Sequence, residues 1–291
     1  MKSTKKIISI DKLHAFENHP YKVQDDEEME ALAESIKEHG IVSPVIVRPL
    51  ENTTDEYEII SGHRRVMASR KAGITEIPAL IVPLDRDGAT IVLVDSNLHR
   101  EHILPSEKAF AYKMKAEALE HKGFRTDLTS VQLAPRLATE QIAEDAGTSK
   151  DTIKRYIRLT NLIPEILQYV DDGRISFTPA VELSYLNEQE QQDLLEQIEQ
   201  SDCTPSLSQA CRFKKISQGE GLTPEVIAEI MEEEKANQKE RIKIPTEKLR
   251  KYFPKNYTVE QIENEIIKLC EKNYRMKQRD ARWEYGTKRK F

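Results

Sequence analysis

Two short segments with helical spacing, separated by a glycine, place the tightest restriction on the fold of this chain. Ala143 is small where two crossing helices must come close, and Gly147 can adopt the positive φ of a tight turn. Ser149 is a preferred N-cap residue, and Ile153 then returns to the face of a second helix that looks toward the first. The pattern predicts a helix-turn-helix, with Thr139 capping its first helix.

A helix-turn-helix presents polar and basic side chains to the base edges and phosphates of double-stranded DNA. The residues predicted to contact DNA are Gln141, Thr148, Ser149, Lys150, Thr152, Lys154, Arg155 and Arg174. The alternative is an ordinary helical hairpin with solvated charges. Several positions with different physical requirements agree here, so we favour the DNA-binding interpretation.

A second motif, Ser61-Gly62-His63-Arg64-Arg65, stands where a strand-like run ends and helical periodicity begins. A glycine at this junction lets backbone N–H groups approach a ligand, and the helix N-terminus adds partial positive charge. Two arginines add bidentate donors. The motif predicts a phosphate site, although on its own it would fit surface arginines on an exposed turn equally well.

Strand and helix signals are mixed over residues 1–103, which predicts an α+β domain. Strands are predicted at residues 7–10, 45–47, 57–60 and 77–82, and helices at 29–39 and 87–94. Residues 51–56 are polar enough for a hairpin loop between two of the strands.

Strand signals stop at Pro105, which predicts an all-α domain over residues 104–200 and a helical C-terminal region with a basic tail over 201–291. Ser106 is predicted to cap a helix that ends near residue 120. A polar connector is predicted over 122–136 and a boundary region over 203–221. Two further helices are predicted, at 224–240 and at 259 to about 276.

Four blocks of sequence resemble, in order, the ParB/RepB/Spo0J family of DNA partition proteins. They are GIVSPVIVR (40–48), SGHRRVMA (61–68), NLHRE with LPSEKA (97–109), and IPE, GRIS and a following alanine (163–180). The resemblance implies a ParB/sulfiredoxin-like N-terminal domain with a cytidine triphosphate (CTP) pocket and a magnesium ion. It also implies dimeric clamping on DNA, segregation of a chromosome, plasmid or mobile element, and a ParA-like ATPase as partner.

Carried over residue by residue, the resemblance assigns a nucleotide site to eight positions. These are Ser61, Gly62, His63, Arg64, Arg65, Asn97, Arg100 and Glu101. Asn97 and Glu101 would lie near the metal, because amide and carboxylate oxygens are suitable ligands for Mg²⁺.

Three departures from the family pattern affect the predicted chemistry. His63 stands where glutamate is usual, and Ser43 where glutamine is usual. Ser96 replaces the glutamate linked to hydrolysis, and a hydroxyl cannot act as a carboxylate base. We therefore expect nucleotide binding with, at most, weak CTPase activity.

Two other classes of function are open to test. One is a helix-turn-helix regulator of transcription or replication with an inactive nucleotide pocket, which the departures at Ser43 and Ser96 favour. The other is a sulfiredoxin-like thiol enzyme. His63 occupies the cysteine position of that family and no cysteine precedes Cys203, which argues against thiol chemistry.

Composition is compatible with a DNA-binding protein of the bacterial cytoplasm and nucleoid. The net charge of −6 argues against a uniformly basic surface, but local charge decides DNA binding. Three cysteines without metal spacing suit a reducing compartment, and no apolar run approaches the roughly 20 residues of a membrane span. One recognition helix reads only a half-site, so a homodimer is expected.

Overall fold

A computed structural model describes residues 3–51, 53–98, 100, 102–126, 134–219, 221–233, 252–254 and 257–287. The chain divides into two compact units, Met1–Glu233 and Glu234–Phe291.

The first unit begins with a mixed β-sheet. Its described strands are β1 (Thr4–Ser9), β2 (Leu13–His14), β3 (Val45–Pro49), β4 (Tyr57–Ser61) and β5 (Glu76–Ile81), in the order β1-β5-β3-β4-β2. β3 and β4 form the antiparallel hairpin expected around residues 51–56, whereas β3 and β5 are parallel. The four strands predicted from apolar runs are confirmed; β2 has only two residues, too few to show an alternation.

Three helices accompany the sheet: α1 (Glu27–His39), α2 (His63–Lys71) and α3 (Arg86–Asp95). Asp26 caps α1 by accepting a hydrogen bond from the Met29 N–H, and Asp85 caps α3 in the same way at Gly88. α1 packs on α2, with Met29 fully buried between them. The predicted helices at 29–39 and 87–94 are thus confirmed, each starting slightly earlier at an acidic cap.

The rest of the first unit is helical, as predicted. Its described helices are α4 (Pro105–Thr126), α5 (Ala134–Asp145), α6 (Lys150–Arg158), α7 (Pro164–Asp171), α8 (Phe177–Leu183), α9 (Glu188–Ser201), α10 (Leu207–Ser217) and α11 (Pro224–Glu232). α4 packs against α3, α5, α6 and α7, so it belongs to the packing of both the α+β region and the helix-turn-helix region.

Two predicted helix caps are wrong. α4 begins at Pro105, and Glu107 accepts a hydrogen bond from the Leu104 N–H, while the Ser106 hydroxyl donates to Asp171 instead. Thr139 lies inside α5, which begins at Ala134. A proline in the first turn of a helix is tolerated because its missing N–H has no intrahelical partner there, so Pro135 does not delay α5.

The predicted connector and boundary segments contain more helix than expected. α4 continues to Thr126, and residues 127–133 lie outside the described residues. α10 lies within the segment predicted as a boundary, where Ser206 and Gln209 form a capping box and Phe213 is fully buried. α10 was not predicted because only one of its faces is apolar and buried, while the segment as a whole is polar in composition.

In the second unit, α12 (Val259–Thr287) extends beyond the predicted end near residue 276. α11 ends at Glu232, and residues 234–240 of the predicted helix lie outside the described residues. Among the described helices, none combines the length and the apolar character that crossing a bilayer requires.

Candidate functional site

The predicted phosphate motif forms the turn between β4 and α2. Gly62 has φ of 107° and is the N-cap of α2 without any side-chain cap. A Cβ added to Gly62 would lie 2.8 Å from Val45 Cγ1, so no other residue fits here without a shift. The first N–H groups of α2 therefore have the open arrangement that binds anions at helix N-termini.

Most of the predicted nucleotide residues line one pocket in front of this turn. Ser61, Gly62, His63, Arg64, Asn97 and Arg100 line it, together with His19, Tyr21, Lys22 and Val23. Arg65 does not line it, and Glu101 lies outside the described residues. The cavity is about 20 Å³, room for a water molecule rather than a nucleotide, so a large ligand requires side chains to move.

The two arginines of the motif have different partners. Arg64 donates to Asp26 and Glu28 at the start of α1, at 3.4 and 3.1 Å. Arg65 donates to the carbonyl oxygens of Ser43 and Pro44, the latter at 2.9 Å. Of the two, Arg64 is therefore the cation available at the pocket, beside Lys22 and Arg100, whereas Arg65 holds the loop before β3.

Two imidazole rings in contact, tilted at 50° to each other, line the pocket. The ring centroids of His19 and His63 are 3.9 Å apart. His63 Nε2 accepts a hydrogen bond from the Phe16 N–H at 3.4 Å, and His19 Nδ1 donates to the Tyr21 carbonyl at 2.7 Å. The His63 ring is therefore a packed part of the pocket wall.

Both imidazoles are neutral at pH 7. Burial, followed by the charges of His19 and Arg100, lowers the pKa of His63 to about 3. Burial also lowers the pKa of His19, against the opposing effect of its hydrogen bond to Tyr21. The pocket wall is therefore uncharged at these two positions.

Ser96 and Asn97 follow the end of α3. The Asn97 amide nitrogen donates to the Leu93 carbonyl at 2.7 Å and to Ser96 Oγ at 3.2 Å. Ser96 Oγ donates in turn to the same carbonyl at 2.9 Å. The amide oxygen of buried Asn97 is thus the atom that could serve a hard cation, and the Ser96 hydroxyl is used locally.

Arg100 and the metal prediction can be placed only in part. The Arg100 guanidinium lies 5.7 Å from the centre of the Tyr21 ring, beside the pocket. The described part of the chain holds no group of three His, Cys, Asp or Glu side chains that could bind a metal ion. A magnesium ion would therefore depend on phosphate oxygens for much of its coordination.

The helix-turn-helix is formed as predicted. Gly147 has φ of 61°, and the Ser149 side chain caps α6 by accepting from the Thr152 N–H. Ile153 is fully buried against Ala143 and neighbouring apolar side chains of α4 and α5. The polar side of α6 is left facing outward.

The predicted DNA contacts differ in how firmly they are held. Exposed positions are Gln141, Thr148, Ser149, Lys154 and Arg174. Lys150 is paired with Glu140 at 2.7 Å, and Arg155 donates to Thr178 at 3.1 Å. Arg174 donates to Asp202 at 3.1 Å, so three of the predicted cations are oriented by neighbouring residues.

Sequence reasoning missed two buried ionic groups. Glu58 accepts from Arg48 at 2.6 Å and from Arg86 at 2.5 Å in the α+β region. Lys115 is fully buried between Asp95 and Asp145. A lysine within the apolar stripe of a helix was the available signal for Lys115.

Both the α+β region and the helix-turn-helix region match models of known protein families. Residues 1–98 match the model described as the ParB N-terminal domain, and residues 126–212 match the ParB HTH domain. The two matches together span more than half of the chain. The chain belongs to the ParB family. Of the predicted pocket residues, those from Ser61 to Asn97 lie within the ParB N-terminal match.

Curated relatives of this ParB-family chain include a probable chromosome 1-partitioning protein ParB from Deinococcus radiodurans, which is 34% identical over 60% of this chain and 53% of the relative. A nucleoid occlusion protein from Geobacillus thermodenitrificans is 36% identical over 62% of this chain and 58% of the relative. The chain therefore spans a little over half the length of these relatives.

Solved ParB structures are similar over larger shares of the chain. The C-terminally truncated ParB of Caulobacter crescentus complexed with CTP-gamma-S is 25% identical, with a TM-score of 0.32 over 67% of this chain and 98% of that one. The same protein complexed to the centromeric parS site is 22% identical, with a TM-score of 0.42 over 78% of this chain and 98% of that one.

Proposed function

We propose that this ParB-family chain is a DNA partition protein of the nucleoid that binds CTP in its α+β region and double-stranded DNA through α5 and α6. The observation that carries the nucleotide proposal is the uncapped N-terminus of α2 at Gly62, which opens toward Asn97 and Arg100. Helix N-termini of this kind bind phosphates through backbone N–H groups and the helix dipole.

The residues present fit a triphosphate. Among the described residues, Arg64 pairs with the carboxylates of Asp26 and Glu28, and surface ion pairs of this kind are worth about 0–1 kcal/mol. A triphosphate carries more charge than either carboxylate and can replace both at small cost. Neutral His19 and His63 contribute no charge to phosphate binding, and the His19 ring must turn away before a nucleotide can enter.

The groups at the end of α3 bear on magnesium binding and on the rate of hydrolysis. The Asn97 oxygen, with Glu101 by family resemblance, would hold Mg²⁺ on the phosphates, where the ion would neutralise charge. Ser96 offers a hydroxyl already bonded to Leu93 in place of a carboxylate base. We therefore expect the chain to bind CTP but to hydrolyse it slowly.

The test is binding and hydrolysis of labelled CTP, with and without genomic DNA fragments. Arg64→Ala should weaken CTP binding about tenfold or more, because it removes a charge-assisted contact. Lys71→Ala is the matched control, since Lys71 also pairs with carboxylates of α1 and of the residues just before it but does not line the pocket. Equal CTP affinity in Arg64→Ala and wild type would contradict the assigned site.

DNA binding has its own test on the outer side of α6. Lys154 is exposed, whereas neighbouring Lys150 is held by Glu140. Lys154→Ala should weaken binding to all sequences and reduce the slope of log K against log salt by about one. An unchanged slope would remove Lys154 from the interface.

The same proposal includes a homodimer, with a ParA-like ATPase as further partner. On α12, Ile266, Leu269, Asn273 and Met276 alternate at spacings of three and four, after Ile262, which is already buried within the chain. This is the heptad pattern of a two-stranded coiled coil, in which a core asparagine fixes the register. Leu269 and Met276 are 55% and 46% exposed, so the stripe suits a second copy of the chain.

A second candidate is a DNA-binding regulator with an inactive pocket. Arg65 is committed to the carbonyls of Ser43 and Pro44, and the cavity is about 20 Å³, both of which favour it. This candidate predicts that CTP leaves DNA binding unchanged. A CTP-dependent change in DNA affinity would exclude it.

A further inference from the structure

Lys115 is one of the largest fully buried side chains of the described residues, and its charge is held between two regions of the first unit. Its ammonium nitrogen lies 2.5 Å from Asp95 Oδ1 and 2.6 Å from Asp145 Oδ2. Lys115 belongs to α4, whereas the two carboxylates belong to α3 and α5. We call this group the Lys115 clamp.

Both carboxylates stand at helix C-termini. Asp95 is the last residue of α3 and Asp145 the last of α5, where the helix dipoles carry partial negative charge. A cation buried beside two such ends is stabilised by the carboxylates and by the dipoles together. Neither helix end can move away without leaving a buried ammonium ion poorly paired, which is costly.

Each end of the clamp adjoins residues of a candidate site. Asp95 precedes Ser96 and Asn97, and Asn97 lines the pocket in front of Gly62. Asp145 precedes the turn of the helix-turn-helix, in which the Thr148 N–H donates to the Ala143 carbonyl. The clamp is therefore a direct ionic connection between the pocket and the segment that positions α6.

We propose that the Lys115 clamp couples occupancy of the Gly62 pocket to DNA binding by α5 and α6. The inference rests on the proposed function and adds its positioning residue: Lys115 touches neither ligand and acts through Asp95 and Asp145. A ligand that moves the end of α3 shifts one carboxylate, and the ammonium ion transmits the shift to the end of α5.

Lys115→Met is the variant that tests this role. Methionine keeps the length and volume of the side chain, and the two carboxylates are 46% and 42% exposed, so they remain hydrated. Removal of the ammonium ion therefore leaves no buried, unpaired charge, which is the main cost of breaking a buried ion pair. Asp145→Asn is a second variant, which leaves Lys115 one carboxylate partner.

Lys71→Met is the matched control. Lys71 is also held by two carboxylates, Asp25 and Glu30, but it connects α2 only to α1 and the residues just before it. It should reproduce any general effect of losing such a lysine without touching the connection to α5.

The experiment is hydrogen exchange of the full chain, with genomic DNA fragments alone and with CTP alone. In wild type and Lys71→Met, DNA should change exchange about fivefold or more at residues 93–98, and CTP should do so at 142–149. In Lys115→Met both remote responses should be lost, with each ligand's own affinity within about twofold of wild type.

The outcomes separate the two proposals. If wild type binds no CTP, the proposed nucleotide function fails and the response of residues 93–98 to DNA still decides the coupling. If Lys115→Met keeps the remote responses, or wild type shows none, the coupling is wrong. If neither ligand binds, both proposals fall. If Asp145→Asn loses the same remote changes in hydrogen exchange as Lys115→Met, the loss is due to the broken clamp and not to the introduced methionine.

Discussion

At the residue scale, Gly62 carries the strictest steric requirement of the pocket. Gly62→Ala places a Cβ 2.8 Å from Val45 Cγ1 and 3.0 Å from an Arg65 nitrogen, at φ of 107°. We expect it to lower the free energy of unfolding by about 1–2 kcal/mol for the backbone and about 1–3 kcal/mol for overpacking. Urea denaturation measures the sum.

Gly73→Ala separates the two contributions. Gly73 also has positive φ, 74°, but a Cβ there would meet nothing within 4 Å. It should show the backbone cost alone. Equal destabilisation by both substitutions would mean that the contact with Val45 is not restrictive.

The pH dependence of stability should report His63. Its pKa is about 3 in the folded chain, so between roughly pH 6.5 and 3 the unfolded chain binds a proton that the folded chain does not. Stability is therefore complete above the unfolded pKa and falls with decreasing pH, by up to about 1.4 kcal/mol per pH unit. His19, whose pKa is also lowered, acts in the same direction.

His63→Gln tests this assignment, because glutamine can still accept the hydrogen bond from Phe16. Denaturation at several pH values should give a flatter loss of stability below pH 6.5 than in wild type. His102 is exposed, and His102→Gln should leave the wild-type slope in place. A wild-type slope in His63→Gln would refute the buried neutral imidazole.

At the element scale, the N-cap of α6 separates stability from DNA binding. Ser149→Ala removes the hydrogen bond to the Thr152 N–H and should cost about 1 kcal/mol of stability. Ser206→Ala removes the equivalent cap of α10 and should cost a similar amount.

Only the first substitution lies at the predicted DNA interface. Thermal unfolding should therefore show a similar loss of stability in the two variants. DNA affinity should fall in Ser149→Ala and stay at the wild-type level in Ser206→Ala. A matching fall in both would make the loss of DNA affinity a consequence of stability alone.

Elements with strong local signals were predictable and others were not. The helix-turn-helix was predictable because Gly147, Ser149 and Ile153 each meet a local requirement. α10 was missed, since its one buried face, with Phe213, lies in a segment of polar composition. The start of α5 was missed because Thr139, a good cap by type, is taken into the helix interior.

At the scale of the whole molecule, the two compact units should be separable. A chain ending at Glu233 keeps every described contact of the first unit and should stay folded. Without α12 it should sediment as a monomer, and its affinity for paired DNA sites should fall about 100-fold or more through lost avidity. Analytical ultracentrifugation and a DNA-binding titration check the two results.

Two charged substitutions in the full chain refine this prediction. Leu269→Glu falls on the apolar stripe of α12 and should dissociate the dimer, whereas Lys268→Glu falls on the opposite side and should not. A dimer that survives truncation at Glu233 would place self-association in the first unit instead.

The sequence by itself determined the fold class, the helix-turn-helix and the glycine turn, because caps, turn glycines and apolar periodicity are local requirements. Only the tertiary structure decided which charges are free to act. Arg64 and Arg65 are adjacent in sequence, yet one pairs with carboxylates of α1 and the other with carbonyls of the loop before β3. Lys115 meets carboxylates 20 and 30 residues away. Such partners are set by the packing of distant elements, which no local pattern records.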